Sequence, residues 1–226
     1  MSAFIFDVDG TLAETEELHR EAFNAAFEKA GLDWSWDRRR YKALLAVSGG
    51  KERLHHFLSV EAIELPDAEA RVARLHAEKT RIYADLVAEG RLVLKPGVAD
   101  LIARAEAEAI RLAIATTTTR ANVNALLQAA GIDPARFEVM VCGDAVALKK
   151  PAPDVYLAVL DALGAPASDC LAFEDSWNGL TAAKGARLRC IVTPALYTED
   201  EDFAGADLVV SDLSDTGRFV AMVKGG

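Results

Sequence analysis

The chain has no apolar run near the roughly 20 residues needed to span a bilayer. Met1-Ser2-Ala3 leads straight into Phe4-Ile5-Phe6 without a basic and then hydrophobic leader. Both absences point to a cytoplasmic protein. Paired cysteines are also missing. Cys142, Cys170 and Cys190 are an odd number, each lies in or beside an apolar run, and none has CxxC spacing. They read as reduced core thiols, which excludes a disulfide framework and a thiolate metal site. Positive charge is scarce as well: 25 Lys and Arg against 35 Asp and Glu leave a net charge of −10. That balance excludes a nucleic-acid surface and an anionic membrane as partners. There is no internal repeat and no low-complexity tract. What is present, 51% apolar residues over 226 positions, suffices for one large domain or a medium domain carrying an insertion.

The most informative stretch opens the chain. The apolar run Phe4-Ile5-Phe6 ends abruptly in Asp7-Val8-Asp9-Gly10-Thr11, two carboxylates followed by a residue that turns the backbone sharply. Asp-x-Asp-Gly by itself is also good Asx-turn chemistry. Three further apolar runs end the same way: Leu112–Ala115 before Thr116, Val139–Val141 before Lys149-Lys150-Pro151, and Leu171–Phe173 before Glu174-Asp175. Polar groups at the carboxyl ends of parallel strands sit where open α/β sheets bind ligands.

After Thr11 the pattern turns helical. A helix is predicted over 16–30, with an acidic first turn and Gly31 as its stop, and His19 shares a face with Ala22, Phe23, Ala26 and Ala30. His19 reads as a packed or capped histidine more readily than as a ligand. Arg38-Arg39-Arg40, in a second helical stretch over 37–47, reads as a solvated face. Ser48-Gly49-Gly50 exposes backbone N–H groups before a helix, with Lys51 and Arg53 close behind, which is anion-binding chemistry or an ordinary capped loop. In a helix predicted over 67–89, His76 and Lys79 project within the apolar sector of Val72, Leu75, Ile82, Tyr83 and Leu86. Either Lys79 snorkels to solvent or this face overlooks a phosphate. Gly90, Pro96 and Gly97 break the pattern. Beyond them, helices are predicted over 98–109, 120–130, 153–163 and 212–223, and strands over 111–115, 138–142, 170–173, 189–192 and 208–210. The expected architecture is α/β: a doubly wound parallel sheet, Rossmann-like, in 1–13 and 91–226, interrupted by a helical cap in 14–90.

The order Asp7 to Thr11, Thr116, Lys150, Glu174-Asp175 resembles the four motifs of the haloacid-dehalogenase-like hydrolases, over essentially the whole chain. The resemblance implies that Asp7 forms an aspartyl-phosphate and that Asp9 is the general acid and base. Thr116 and Lys150 would contact the phosphoryl oxygens. Lys150 is chosen over Lys149 because it directly precedes proline, and any hydroxyl of Thr116 to Thr119 could meet the phosphate. A magnesium ion would be held by the Asp7 carboxylate, the Asp9 carbonyl oxygen, Asp175 and Glu174. Asp7 to Phe23 together with Ser48 to Arg53 resembles more closely the CbbY-like sugar-bisphosphate phosphatases, with a phosphoglucomutase-type cap, associated with the Calvin cycle. That resemblance implies xylulose-1,5-bisphosphate as substrate. It places Glu14, His19, Lys51, Arg53, His76 and Lys79 around the sugar, the last four on the distal phosphate. Thr117, Arg120 and Asn122 complete the candidate set. The expected partner is a small phosphorylated sugar, with no nucleic acid or membrane, and the expected state is a monomer.

Three other readings compete. A β-phosphoglucomutase-like mutase would use the same two aspartates. A receiver-type phosphorylation switch has about half this length and no helical insert. A non-catalytic carbohydrate-binding module has no need for paired aspartates at this spacing.

Overall fold

The computed structural model describes residues 2–225. Six parallel strands form one sheet: β1 (Ala3–Phe6), β2 (Arg111–Ala115), β3 (Val139–Val141), β4 (Cys170–Glu174), β5 (Arg189–Val192) and β6 (Leu208–Val209), in the order β3-β2-β1-β4-β5-β6. β1 is therefore central, and the order reverses between β1 and β4.

The two-residue period sorts the strand side chains by size. Phe4, Phe6, Leu112, Ile114, Leu171, Phe173 and Ile191 fill one face. Ala3, Ile5, Ala113, Ala115, Cys170, Ala172, Cys190 and Val192 fill the other, where small residues predominate. In chain order the helices are α1 (Glu16–Lys29), α2 (Arg38–Leu44), α3 (Gly50–Val60), α4 (Ala68–Leu86), α5 (Val98–Ala107), α6 (Arg120–Ala129), α7 (Asp154–Leu163), α8 (Trp177–Gly185) and α9 (Thr216–Lys224). α5, α6 and α9 cover the bulky face; α7 and α8 cover the small one. All three cysteines are buried and reduced.

Helices α1 to α4 pack around a separate aromatic cluster of Phe23, Phe27, Trp36, Tyr41 and Phe57. α4 runs into a π turn at Val87–Arg91 that is broken by left-handed Gly90. Among the described residues no helix is long and apolar enough to cross a membrane.

Several elements differ from the sequence expectations. α8 was not anticipated, because Trp177-Asn178-Gly179 carries turn residues at its start; the Ser176 side chain accepts from Gly179 N–H and caps it. α9 begins four residues later than predicted, since the Asp212 side chain accepts from Ser214 N–H in a turn and Asp215 provides the cap. α2 starts one residue later because Asp37 is its cap rather than its first residue, and it ends at Leu44, three residues short of the expected end.

Phe173 is the keystone of the bulky face. Its ring stacks on Phe6 at 4.8 Å and meets Phe4 and Phe219 edge-on at 5.2 and 5.4 Å. Phe173→Ala should cost about 3–5 kcal/mol in urea unfolding; a loss below about 1 kcal/mol, the range of a surface substitution, would contradict this packing account.

Candidate active site

The site lies where the strand order reverses, at the carboxyl ends of β1, β2 and β4. Phe6 pairs with Ile114 on one side and with Phe173 on the other, so Asp7, Ala115 and Glu174 stand level, one rung further. Asp7 N–H still donates to the Phe173 carbonyl (3.0 Å), which fixes the carboxylate at the sheet edge. Gly10 then turns the chain at φ 81°, and a Cβ there would run into the Asp175 carboxylate.

Lys150 is buried and uses all three ammonium protons. It donates to Asp7 Oδ1 (2.7 Å), Glu174 Oε1 (2.6 Å) and the Ala115 carbonyl (2.9 Å). Lys149 instead turns its ammonium to the carbonyls of Gly143 and Val146. The Tyr156 hydroxyl also donates to Glu174 Oε1, while Glu174 Oε2 is buried without a partner. Asp7, Glu174 and Asp175 each offer an oxygen within 4.8 Å of the others. Three ionised carboxylates against one ammonium leave two negative charges unbalanced. Burial pushes Asp7 up to about 8; Lys150 opposes the shift, and Glu174 and Asp9 add to it. Burial, with Asp7 and Glu174, holds Asp175 well above the carboxylate range. Buried hard oxygens, an orphaned carboxylate atom and a deficit of two positive charges fit a divalent cation such as magnesium.

The Asp9 carboxylate stands apart from this group and faces the helices. Its Oδ1 accepts from the Thr15 hydroxyl (2.6 Å) and from His19 Nε2 (3.0 Å). Lys79 Nζ lies 2.7 Å from His19 Nδ1 and donates to it, so the proton of a neutral His19 sits on Nε2. Burial and Lys79 together hold the His19 pKa down, with Asp9 opposing. Burial acts to raise Asp9, but His19, Thr15 and Lys79 outweigh it and keep the carboxyl ionised. Tyr83 stacks on the His19 ring at 4.0 Å.

Facing the strand ends, Ser48, Gly49, Gly50, Lys51, Arg53, His76 and Lys79 line the same cleft, of about 190 Å³. Gly49 adopts φ 92°, and a Cβ on Gly50 would strike the His76 ring, so the loop can approach α4 only with glycine. Arg53 donates to the Tyr41 hydroxyl (3.1 Å), which donates to Glu16 Oε2 (2.6 Å). His76 is not one of the cations at neutral pH: burial, with Lys79 and Lys51 beside it, pushes it down to about 3. Burial likewise lowers Lys79, to about 7, against the pull of Asp9 and Glu16.

At the other end, the Thr116 hydroxyl accepts from Thr118 N–H (3.2 Å), and Asn122 donates to the Thr118 hydroxyl (2.9 Å). Thr116, Thr117 and Asn122 line the cleft. Two expected residues do not. The exposed Arg120 donates to the Met140 carbonyl on the sheet, its side chain drawn back along β3. Glu14 is exposed on the linker, 3.4 Å from Leu196 N and 3.8 Å from Lys95 Nζ. It is Glu16, the first residue of α1, that faces the cleft. Glu16, Tyr156, Ser176 and Asn178 were not anticipated; the position of Ser176 directly after Glu174-Asp175, at the start of a helix, was the signal available for it.

Comparison with known proteins agrees with this geometry. The family model described as haloacid dehalogenase-like hydrolase matches residues 1–187. Protein CbbY of Rhodobacter capsulatus is 53% identical over 216 residues, covering 95% of this chain and 94% of that protein. The crystal structure of CbbY from Rhodobacter sphaeroides in complex with phosphate superposes with a TM-score of 0.89 at 50% identity, covering 96% of each chain. A mutant of the same protein in complex with xylulose-(1,5)bisphosphate gives 0.88 at 50% identity, covering 95% of this chain and 96% of that one. The chain belongs to the haloacid dehalogenase-like hydrolase family, and within it to the CbbY-like group.

Proposed function

We propose that this phosphatase removes one phosphate from a small sugar bisphosphate, with xylulose-1,5-bisphosphate as the preferred substrate, through an aspartyl-phosphate on Asp7. The observation that carries the reading is a single cleft with two anion-binding ends. Lys150 and the Thr116 to Thr118 turn stand at Asp7, while Lys51, Arg53 and Lys79 stand on the helices opposite. The family resemblance to a protein crystallised with that bisphosphate supports the sugar. Residues 14–90 act as the cap over the core.

A phosphate dianion and a carboxylate nucleophile repel each other, so the chain must supply compensation. Lys150 gives Asp7 a fixed partner and holds its Oδ1 in place. The Thr116 hydroxyl, which accepts from Thr118 N–H and keeps its own proton, is placed to donate to a phosphoryl oxygen. Magnesium, held by Asp7, Glu174 and Asp175 with the Asp9 carbonyl, would neutralise charge on the phosphoryl oxygens. Asp9, ionised in the free enzyme, must take up a proton from solvent as substrate binds; it gives that proton to the sugar oxygen as it leaves and takes one from water in the second half-reaction. Its bonds to Thr15 and His19 place that carboxylate under the control of the cap. Arg53, held by the Tyr41 to Glu16 relay, and Lys79 grip the distal phosphate. His76 contributes a hydrogen bond instead of a charge.

A bisphosphate phosphatase releases one equivalent of phosphate and stops, whereas a mutase yields an isomerised sugar phosphate with little free phosphate. Across a panel of sugar mono- and bisphosphates with magnesium, one equivalent per bisphosphate is expected. Isomerised product in its place would favour the mutase reading. Asp7→Asn should abolish turnover while circular dichroism stays that of the wild type; wild-type rates would mean that the nucleophile is misassigned.

Arg53→Met should weaken a bisphosphate about tenfold or more relative to a monophosphate, as expected for one desolvated charge-assisted contact. Equal effects on both would place Arg53 away from the distal group. Lys79 adds a pH dependence. With its pKa lowered to about 7, the free enzyme carries this charge below that pH and loses it above. The ratio of KM for a bisphosphate to KM for a monophosphate should therefore rise above about pH 7, and Lys79→Met should flatten it. A ratio independent of pH in the wild type would contradict the assignment.

A further inference from the structure

Lys95 lies on the linker that returns from α4 to α5 and takes no part in the chemistry described above. It is 8% exposed, yet no carboxylate lies within hydrogen-bond distance of its ammonium. Nζ donates to three main-chain carbonyls: Gly10 (2.8 Å), Thr193 (2.9 Å) and Pro194 (3.0 Å). Glu14, the nearest acid, is 3.8 Å away and half exposed. All three ammonium protons are thus used, each on a carbonyl.

The acceptors belong to the two loops that carry the site. Gly10 follows Asp9 directly. Thr193 and Pro194 leave β5 and lead to Ala195 and Thr198. The Thr198 hydroxyl accepts from Ala195 N–H (2.9 Å) and donates to the Asp175 carbonyl (2.7 Å). The Lys95 backbone joins the same assembly, its N–H donating to the Leu12 carbonyl (2.9 Å). Gly10 approaches Asp175 so closely that a Cβ would overlap its carboxylate. Burying an ammonium without an opposite charge is costly, and an apolar side chain would fill the space without that cost. What an apolar residue could not supply is three directed donors.

We propose that Lys95 is a positioning residue: it locks the Gly10-Thr11 peptide, directly after Asp9, and the Thr193-Pro194 loop that holds Asp175 into one arrangement. The inference rests on the phosphatase reading of Asp7, Asp9 and Asp175. Lys95 touches neither the cleft nor the distal phosphate site, so its loss should change metal binding and turnover rather than affinity for the sugar.

The test compares the full-length wild type with Lys95→Met and Lys95→Gln. Calorimetric titration of magnesium chloride into substrate-free protein is read beside steady-state kinetics and circular dichroism. Lys95→Met should weaken magnesium binding and lower kcat by about 10- to 100-fold, the usual effect of losing a group that orients metal ligands. KM for the bisphosphate should stay within about twofold, because no ground-state contact is removed. Lys95→Gln, which keeps donors but no charge, should fall between. Folded variants with wild-type magnesium affinity and kcat would overturn the proposal. So would a rise in KM alone, or failure of both variants to fold, which would give Lys95 a purely structural role. The phosphatase reading fails separately, if the wild type hydrolyses no sugar phosphate; calorimetry still decides the part played by Lys95.

Discussion

Lys150 holds together one rung of the sheet. Its three acceptors, Asp7, the Ala115 carbonyl and Glu174, are the residues immediately past the last common rung of the three adjacent strands β1, β2 and β4. In a parallel sheet those positions share one edge, so a single ammonium reaches all of them. Remove the cation and two buried carboxylates face each other in a low-dielectric site, where repulsion is poorly screened. The sheet order, the small-residue face under α7 and the chain's return to Lys150 all serve to deliver that one charge.

The acidic group divides into two environments. Asp7, Glu174 and Asp175 are crowded and short of positive charge, which leaves room for a divalent ion, and burial favours the neutral forms of Asp7 and Asp175. Asp9, two residues from Asp7, is turned toward helices α1 and α4 and held ionised by donors from Thr15 and His19. Two aspartates with unlike surroundings are suited to unlike roles, one as nucleophile and one for proton transfer. Because Thr15, His19 and Lys79 belong to the helical segment, any movement of α1 and α4 alters the environment of Asp9.

The strand ends were legible in the sequence because each consists of an apolar run broken by a polar group, a pattern set by local residues alone. Five of the residues so marked, Asp7, Thr116, Lys150, Glu174 and Asp175, border one cleft. Helical phase likewise turned His76 and Lys79 inward, and both are buried. It could not give their charge, which depends on burial and on cations gathered from α3 and α4; hence His76 is neutral. Glu14 and Glu16 sit two residues apart at a linker, where periodicity has not yet begun, and only the path of the chain decides which one faces the cleft. Arg120 goes to the sheet because the Met140 carbonyl is within its reach. Lys95 and Tyr156 were silent for another reason. Their partners lie 85 to 99 residues away in the first case and 18 in the second, beyond any local pattern.

The central claim is that the phosphoryl group passes through Asp7. Enzyme quenched in acid during turnover of a sugar bisphosphate, reduced with borohydride and mapped by mass spectrometry reports this directly, since an aspartyl-phosphate is reduced to homoserine where an unmodified aspartate is left intact. The account predicts conversion at position 7 alone, and only when substrate is present. Conversion at Asp9, or none at any aspartate while phosphate is being released, would contradict it.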